Sequence, residues 1–131
     1  ATPFEHRSFA EELALCQRYF YVHADGRRDI SEHIGTGTMY TSGSIFITVN
    51  PKTIMRAVPS LETTTGTNFY QAFTGGASDH FDAITLNSAR SSVNLFECEG
   101  GTNVSGTASE VVFLRLGGTS NTAKMFFDAE L

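Results

Sequence analysis

The sequence lacks several features that would decide its class at once. Its 131 residues contain no tryptophan, three prolines and two cysteines. No apolar run approaches the roughly 18 residues that a transmembrane helix needs, and the first residues have neither the basic nor the apolar region of a signal peptide. We therefore expect one soluble globular domain over residues 1–131 with no membrane insertion.

Positive charge is also scarce. Nine Lys and Arg residues face 14 Asp and Glu residues, which gives a formal net charge of -5. The single pair of adjacent basic residues is Arg27-Arg28. Because phosphate backbones are bound by clustered Lys and Arg, we expect no nucleic acid among the partners.

Signatures of catalysis and cofactor binding are missing as well. The chain has no Gly-x-Ser-x-Gly, HExxH, P-loop or GxGxxG string, and Thr41-Ser42-Gly43-Ser44 is better interpreted as a hairpin turn than as a nucleophile site. The two cysteines, Cys16 and Cys98, match no zinc pattern. We expect them to be reduced and buried rather than joined in a disulfide, and we expect no cofactor and no bound metal.

What is present favours β structure. Eleven phenylalanines and 12 glycines accompany many short alternating segments with Gly-rich turns, a pattern typical of a β-sandwich or small barrel. One helix is predicted to begin at Ser8, because Ser8 and Glu11 have the spacing of a capping box, and to end by Gln17 or Arg18. The predicted strands are 19–23, 37–41, 44–49, 54–58, 68–73, 81–87, 93–98, 111–116 and 123–131. The fold class is therefore all-β, an antiparallel, jelly-roll-like β-sandwich with one short N-terminal helix.

The alternation also predicts which side chains form the core. We expect Leu13, Leu15, Phe20, Val22, Ile45, Ile47, Ile84, Leu86, Val112, Leu114, Met125 and Phe127 to be buried. Several strands are aromatic on both faces, which indicates that a partner covers one of them. Residues 117–121 are expected to connect the last two strands as a hairpin.

Polar clusters provide the candidate sites. Asp79-His80-Phe81-Asp82, after the Gly75-Gly76 turn, is interpreted as a sugar-contacting loop or, less readily, as an acid/base pair. Tyr70, Tyr40 and Tyr21, together with Tyr19, lie on strand faces that we interpret as polar, where a ring can stack on the apolar face of a pyranose. Half-buried sheet or subunit contacts are the competing explanation for these tyrosines. The ligand-binding candidates are Tyr70, Asp79, His80, Tyr40 and Tyr21.

A second cluster lies in the first loop. His23, Asp25, Asp29, Glu32 and His33 are residue types that can bind a divalent metal. Arg27 and Arg28 stand among them and oppose cation binding, so a solvated polar loop is the preferred interpretation.

The string Phe9-Ala10-Glu11-Glu12-Leu13-Ala14-Leu15-Cys16-Gln17-Arg18-Tyr19-Phe20 resembles a signature of C-terminal domains in tailed-bacteriophage virion proteins, especially tail fibres and structural proteins. The opening Ala1-Thr2-Pro3-Phe4-Glu5-His6-Arg7-Ser8 resembles the junction that precedes this domain in such proteins. Met55-Arg56-Ala57-Val58-Pro59 and the ending Phe127-Asp128-Ala129-Glu130-Leu131 resemble two further elements of the family.

The resemblance implies a virion protein, assembled in the cytoplasm of the bacterial host, of which this chain is the C-terminal domain. It also implies a homotrimer in contact with other virion proteins. The leading hypothesis is a non-enzymatic tail-fibre or appendage tip that recognises host cell-surface polysaccharide or lipopolysaccharide. Two alternatives remain open: a capsid decoration or cement protein, and a glycan-degrading spike enzyme that depends on Asp79 or Asp82.

Overall fold

The structure, a computed structural model, describes residues 8–26, 32–117 and 123–130. Within them one helix is followed by ten strands in two antiparallel sheets, which confirms the all-β sandwich with one short helix. The elements are α1 Phe9–Gln17, β1 Phe20–Ala24, β2 His33–Thr41, β3 Ser44–Val49, β4 Ser60–Thr63, β5 Tyr70–Thr74, β6 Ala77–Phe81, β7 Ile84–Leu86, β8 Phe96–Gly100, β9 Val111–Leu116 and β10 Met125–Asp128. No described helix is long and apolar enough to cross a bilayer.

Helix α1 begins as predicted. The Ser8 hydroxyl accepts from the Glu11 amide at 3.3 Å, and the Glu11 carboxylate accepts from the Ser8 amide at 2.7 Å, which completes the capping box. The Ser8 amide and the Ser8 hydroxyl, which also donates to this carboxylate at 2.8 Å, lower the pKa of Glu11. The predicted burial of its leucines is wrong, because no side chain of α1 is buried and Leu13 is 44% exposed.

The larger sheet has seven strands in the order β6-β5-β9-β2-β3-β8-β7. Its β2–β3 hairpin turns at Ser42-Gly43, as predicted, and the Thr41 hydroxyl accepts from the Gly43 amide at 3.2 Å. The β5–β6 hairpin turns at Gly75 and Gly76, whose φ angles of 50° and 91° favour glycine. The smaller sheet has the order β1-β10-β4. Since β9 and β10 belong to different sheets, the predicted hairpin between them is wrong.

The core fills the space between the two sheets. Phe127 of β10 is fully buried, with its ring centroid 4.6 Å from that of Phe96 on β8 and 6.1 Å from that of Tyr21 on β1. Of the predicted core residues, those fully or almost fully buried are Ile45, Ile47, Ile84, Val112, Leu114, Met125 and Phe127, and Leu86 packs partly buried against them. The two sheets therefore bury their facing sides against each other.

Strand β1 is oriented opposite to the prediction. Tyr21 faces the core, directly opposite Phe127, whereas Phe20 and Val22 lie on the outer face. Because the segment carries large apolar side chains on both alternating sets, its pattern did not specify the buried face.

Two other predicted strands differ. Residues 54–58 form no strand, and β4 begins at Ser60, after Pro59, which lacks an amide donor. The predicted strand 81–87 is divided into the end of β6 and β7, because Asp82 breaks the pairing. Its carboxylate accepts hydrogen bonds from the Asn68 amide and the Asn103 side chain.

Candidate functional site

Two of the five candidate ligand-binding residues lie in the core. Tyr70 is fully buried and its hydroxyl donates to the Thr64 carbonyl at 2.8 Å. Tyr21 is buried against Phe127. Burial raises the pKa of both hydroxyls. The prediction that these rings lie on polar faces is wrong, since neither presents a face to a ligand.

Asp79 and His80 lie on strand β6 rather than in a loop. As consecutive residues of a strand they point to opposite faces of the sheet, and each is only partly exposed. The Asp79 carboxylate accepts hydrogen bonds from the amide and hydroxyl of Ser105. Asp79 therefore holds the neighbouring loop against the edge strand, and the two side chains do not form a pair with each other.

The first-loop cluster is only partly within the described residues, because Asp29 lies outside them. Among the described residues no three His, Cys, Asp or Glu side chains converge as metal ligands. The Nε2–H of His23 donates to the Ile34 carbonyl at 2.6 Å. Burial lowers the pKa of His23, against the opposing effects of that carbonyl and of Glu32. His23 is thus a partly buried histidine whose ring packs beside those of Tyr21 and Phe127 at the margin of the core.

The cysteines are free, and they differ in exposure. Cys98 is buried in β8, as predicted, whereas Cys16 at the end of α1 is exposed, which corrects the prediction for it. Burial, with a smaller contribution from Glu97, raises the pKa of Cys98 to about 12.

The outer face of the seven-stranded sheet carries an open groove of about 570 Å³. Strands β2 and β3 form its floor and β8 provides one wall. We call this depression the threonine groove; its lining residues are Thr36, Gly37, Thr38, Phe46, Thr48, Asn50 and Glu97. Within the described part of the chain, no hydrogen bond engages the hydroxyls of Thr36, Thr38 or Thr48. The groove thus offers hydroxyl, amide and carboxylate groups beside one aromatic ring.

Tyr40 lies next to this groove. Of the three tyrosines predicted to bind a ligand, it is the one whose side chain is well exposed. Its ring stacks on that of Phe46, with centroids 4.7 Å apart and planes inclined by 16°, and 66% of the residue is exposed. The pairing of β2 with β3 is irregular between Met39 and Thr41, which is where Tyr40 lies. The bulge and the Phe46 ring hold Tyr40 with an aromatic surface facing solvent.

Glu97 of β8 is the charged residue of the groove lining, and Glu99 and Arg90 lie near it. Glu97 pairs in register with Thr48, and Glu99 pairs with Phe46. A guanidinium nitrogen of Arg90 lies 3.4 Å from the Glu97 carboxylate, and its central carbon lies 5.9 Å from the Phe46 ring. This wall contains both hydrogen-bond donors and acceptors.

Apart from Tyr40, the sequence prediction missed the groove. A usable signal was present: Thr38 and Tyr40 alternate along the predicted strand 37–41, with Thr36 just before it. Phe46 and Thr48 alternate along the predicted strand 44–49, with Asn50 just after it. Since a two-residue turn joins these strands, both polar sets lie on one face. Glu97 lies at the groove because β8 pairs with β3, and the pairing of two distant segments cannot be predicted from local sequence pattern.

Neither family models, nor curated proteins, nor solved structures give a match to this chain.

Proposed function

We propose that this domain is a non-enzymatic attachment module of a tailed-phage appendage that binds host-surface polysaccharide in the threonine groove. Sequence resemblance to phage virion domains supports the setting. The observation that carries the binding role is the juxtaposition of the exposed Tyr40 ring with three threonine hydroxyls that have no partner among the described residues.

The groove suits a sugar on physical grounds. A pyranose presents C–H groups on its face and hydroxyls around its edge. The Tyr40 ring can cover the face, while Thr38, Asn50 and Glu97 can donate to or accept from the hydroxyls. Phe46 holds the ring in place before binding, so less conformational entropy is lost when the sugar docks.

The depth of the groove bears on affinity. An open depression buries little of a ligand, so a single site binds weakly. A homotrimer that presents three copies to a repetitive polysaccharide converts weak sites into firm attachment. Trimerisation and attachment therefore belong to one proposal.

The two carboxylates on which the spike-enzyme alternative depends, Asp79 and Asp82, lie outside the threonine groove. The Asp79 carboxylate accepts hydrogen bonds from Ser105, and the Asp82 carboxylate accepts hydrogen bonds from the Asn68 amide and the Asn103 side chain. Both carboxylates stabilise loops, and neither lines the threonine groove.

The test is binding of the labelled domain to intact candidate host cells, with extracted surface polysaccharide as competitor. We expect saturable binding that the polysaccharide abolishes. Tyr40→Ala should weaken it about tenfold, roughly 1.4 kcal/mol, whereas Tyr40→Phe keeps the ring and most of the binding. Thr38→Val removes one hydroxyl at nearly constant shape and should also weaken binding.

Phe9→Ala is the control, because Phe9 is an exposed aromatic residue of helix α1 and lies outside the groove lining. If the polysaccharide still competes for binding, but Tyr40→Ala and Thr38→Val bind as tightly as the wild-type domain, the site lies elsewhere. A folded domain that binds no host cell would contradict the attachment role and favour the capsid decoration alternative.

A further inference from the structure

The outer face of the seven-stranded sheet continues beyond the threonine groove into a second cluster of side chains. Thr36, which lines the groove, pairs in register with Phe113 of β9, and Phe113 pairs with Phe73 of β5. Residues paired directly across neighbouring strands project from the same face, so the two rings lie next to Thr36 on the outer face. Phe113 is 48% exposed. A second aromatic surface therefore adjoins the hydroxyls of the groove.

A row of nitrogen-bearing side chains runs beside these two rings. Its members pair in register across β6, β5, β9 and β2, and they are His80, Gln71, Arg115 and His33 in that order. We call these four residues the Arg115 row. The row lies two residues from the rings along β5 and along β9, so it projects from the same face. It places one guanidinium, two imidazoles and one amide beside the aromatic surface.

Ring contacts orient the basic groups of the row. The central carbon of the Arg115 guanidinium lies 5.0 Å from the Phe73 ring centroid, and the His33 ring centroid lies 6.0 Å from that of Phe113. Within residues 8–26, 32–117 and 123–130, no carboxylate pairs with Arg115, and no hydrogen bond engages a side chain of the row. The guanidinium is thus positioned by an aromatic ring and has N–H donors to offer to a ligand.

The acidic side chains nearest the row in the chain and in the sheet are directed elsewhere. Glu32 raises the pKa of His23, so its carboxylate lies near that ring rather than in the row. Asp79 precedes His80 on β6 and projects from the opposite face. Glu110 lies beside the β5–β6 turn, at the end of β5 remote from the row. Among the described residues, the positive charge of the row therefore has no acidic partner.

Strand β2 connects the Arg115 row with the threonine groove. It carries Tyr40 near one end and His33 at the other, with Thr38 and Thr36 between them. This stretch spans roughly 20 Å, at about 3.3 Å per residue less the shortening at two bulges. The outer face is therefore long enough for several consecutive sugars of a polymer.

We infer that the Arg115 row and the two rings form a second subsite, which takes a sugar that carries a carboxylate. The inference rests on the proposed function and names its substrate class as an acidic polysaccharide. A guanidinium presents a planar fork of donors that matches a carboxylate, and the Phe113 ring covers the C–H face of the same sugar. At the other wall, Arg90 is already paired with Glu97, so Arg115 is the guanidinium left for the ligand. A neutral sugar occupies the groove, and the acidic sugar follows it along β2.

The primary test compares glucuronate with glucose, two sugars that differ by the carboxylate, in NMR titrations of the isotope-labelled domain. We expect glucuronate to shift the signals of the Arg115 side chain and of the adjoining β9 amides, and to bind there about tenfold more tightly than glucose. Arg115→Gln should abolish this preference. Arg56→Gln is the matched control, because it removes the same charge beside the Tyr19 ring, outside the row and the groove lining, and it should retain the preference. Urea unfolding checks that both variants fold.

A second test repeats the host-cell competition with the extracted polysaccharide before and after chemical reduction of its carboxylates to alcohols. We expect the reduced polymer to compete about tenfold less well. Equal competition by the two forms overturns the inference, as does a glucuronate titration that leaves the signals of the row unmoved. A preference for glucuronate that persists in Arg115→Gln overturns the assigned residue.

Failure of the subsite is distinguishable from failure of the proposed function. If Tyr40→Ala still weakens cell binding while both forms of the polymer compete equally, the groove binds sugar and the acidic subsite is wrong. If no cell binding is found, the attachment role is wrong, and the NMR titration, which needs no cells, decides the subsite by itself.

Discussion

Truncation of Phe127 tests the packing of the two sheets most directly. The ring is fully buried between the sheets, with Phe96 on one side and Tyr21 on the other. Phe127→Ala removes it from a site whose walls belong to two hydrogen-bonded sheets, and such walls collapse poorly into a cavity. Phe→Ala changes in cores cost about 3–5 kcal/mol, and we expect the upper half of that range here.

Urea unfolding followed by circular dichroism measures this cost, with the slope against denaturant expected to stay unchanged. Phe113→Ala is the control for this measurement, because Phe113 lies half exposed on the outer face of β9, and its loss should cost about 1 kcal/mol or less. Equal losses of unfolding free energy in the two variants would refute the assignment of Phe127 to the buried face and of Phe113 to the outer face. A fall of less than about 2 kcal/mol for Phe127→Ala would show that the sheets do not enclose the ring as described.

Two further predictions follow from burial at single residues. In the native protein a thiol reagent should react rapidly with exposed Cys16 and with Cys98 only after unfolding. Burial raises the pKa of Cys98 to about 12 and excludes the reagent. Rapid reaction of both thiols in the native protein would contradict the fold around β8. Burial lowers the pKa of His23 below its unfolded value near 6.5, so the unfolded chain binds the proton first and stability should fall as the pH drops from neutral through the folded pKa. The His23→Gln variant should lose this part of the pH dependence, and an unchanged profile in urea unfolding would contradict it.

Much of the fold follows from local pattern. The capping box at Ser8, the tight turn at Ser42-Gly43 and the strand 111–116 are local features, and the structure contains each of them where the sequence predicts it. Their geometry depends on residues close together in the chain, so short-range rules apply. The arrangement of strands into sheets depends on distant partners. For this reason the position of β10, between β1 and β4 rather than beside β9, was not predicted.

The candidate site divides in the same way. Tyr40 belongs to a strand whose polar face is evident from alternation, and it is exposed beside the groove. Tyr21 belongs to a strand with aromatic residues on both faces, and Tyr70 belongs to a strand that ends at a turn. Both tyrosines are buried. The tyrosine side chain suits either environment, since its ring packs in a core if the hydroxyl finds a partner, as Tyr70 does with Thr64. Residue type alone therefore did not separate binding from core tyrosines.

The strands that alternation assigned poorly are also those that expose apolar side chains. Where both alternating sets are large and apolar, as in β1 and in β10 with Phe126 beside Phe127, one set fills the core and the other remains on the surface. Apolar side chains contribute much of the surface of any folded protein, so both sets can be accommodated in one strand. On the opposite face, β2 and β3 alternate apolar with hydroxyl-bearing residues, and there a polar ligand is the better match. Alternation therefore specifies the buried face where one set is largely polar, as in β3, and does not specify it where both sets are large and apolar, as in β1.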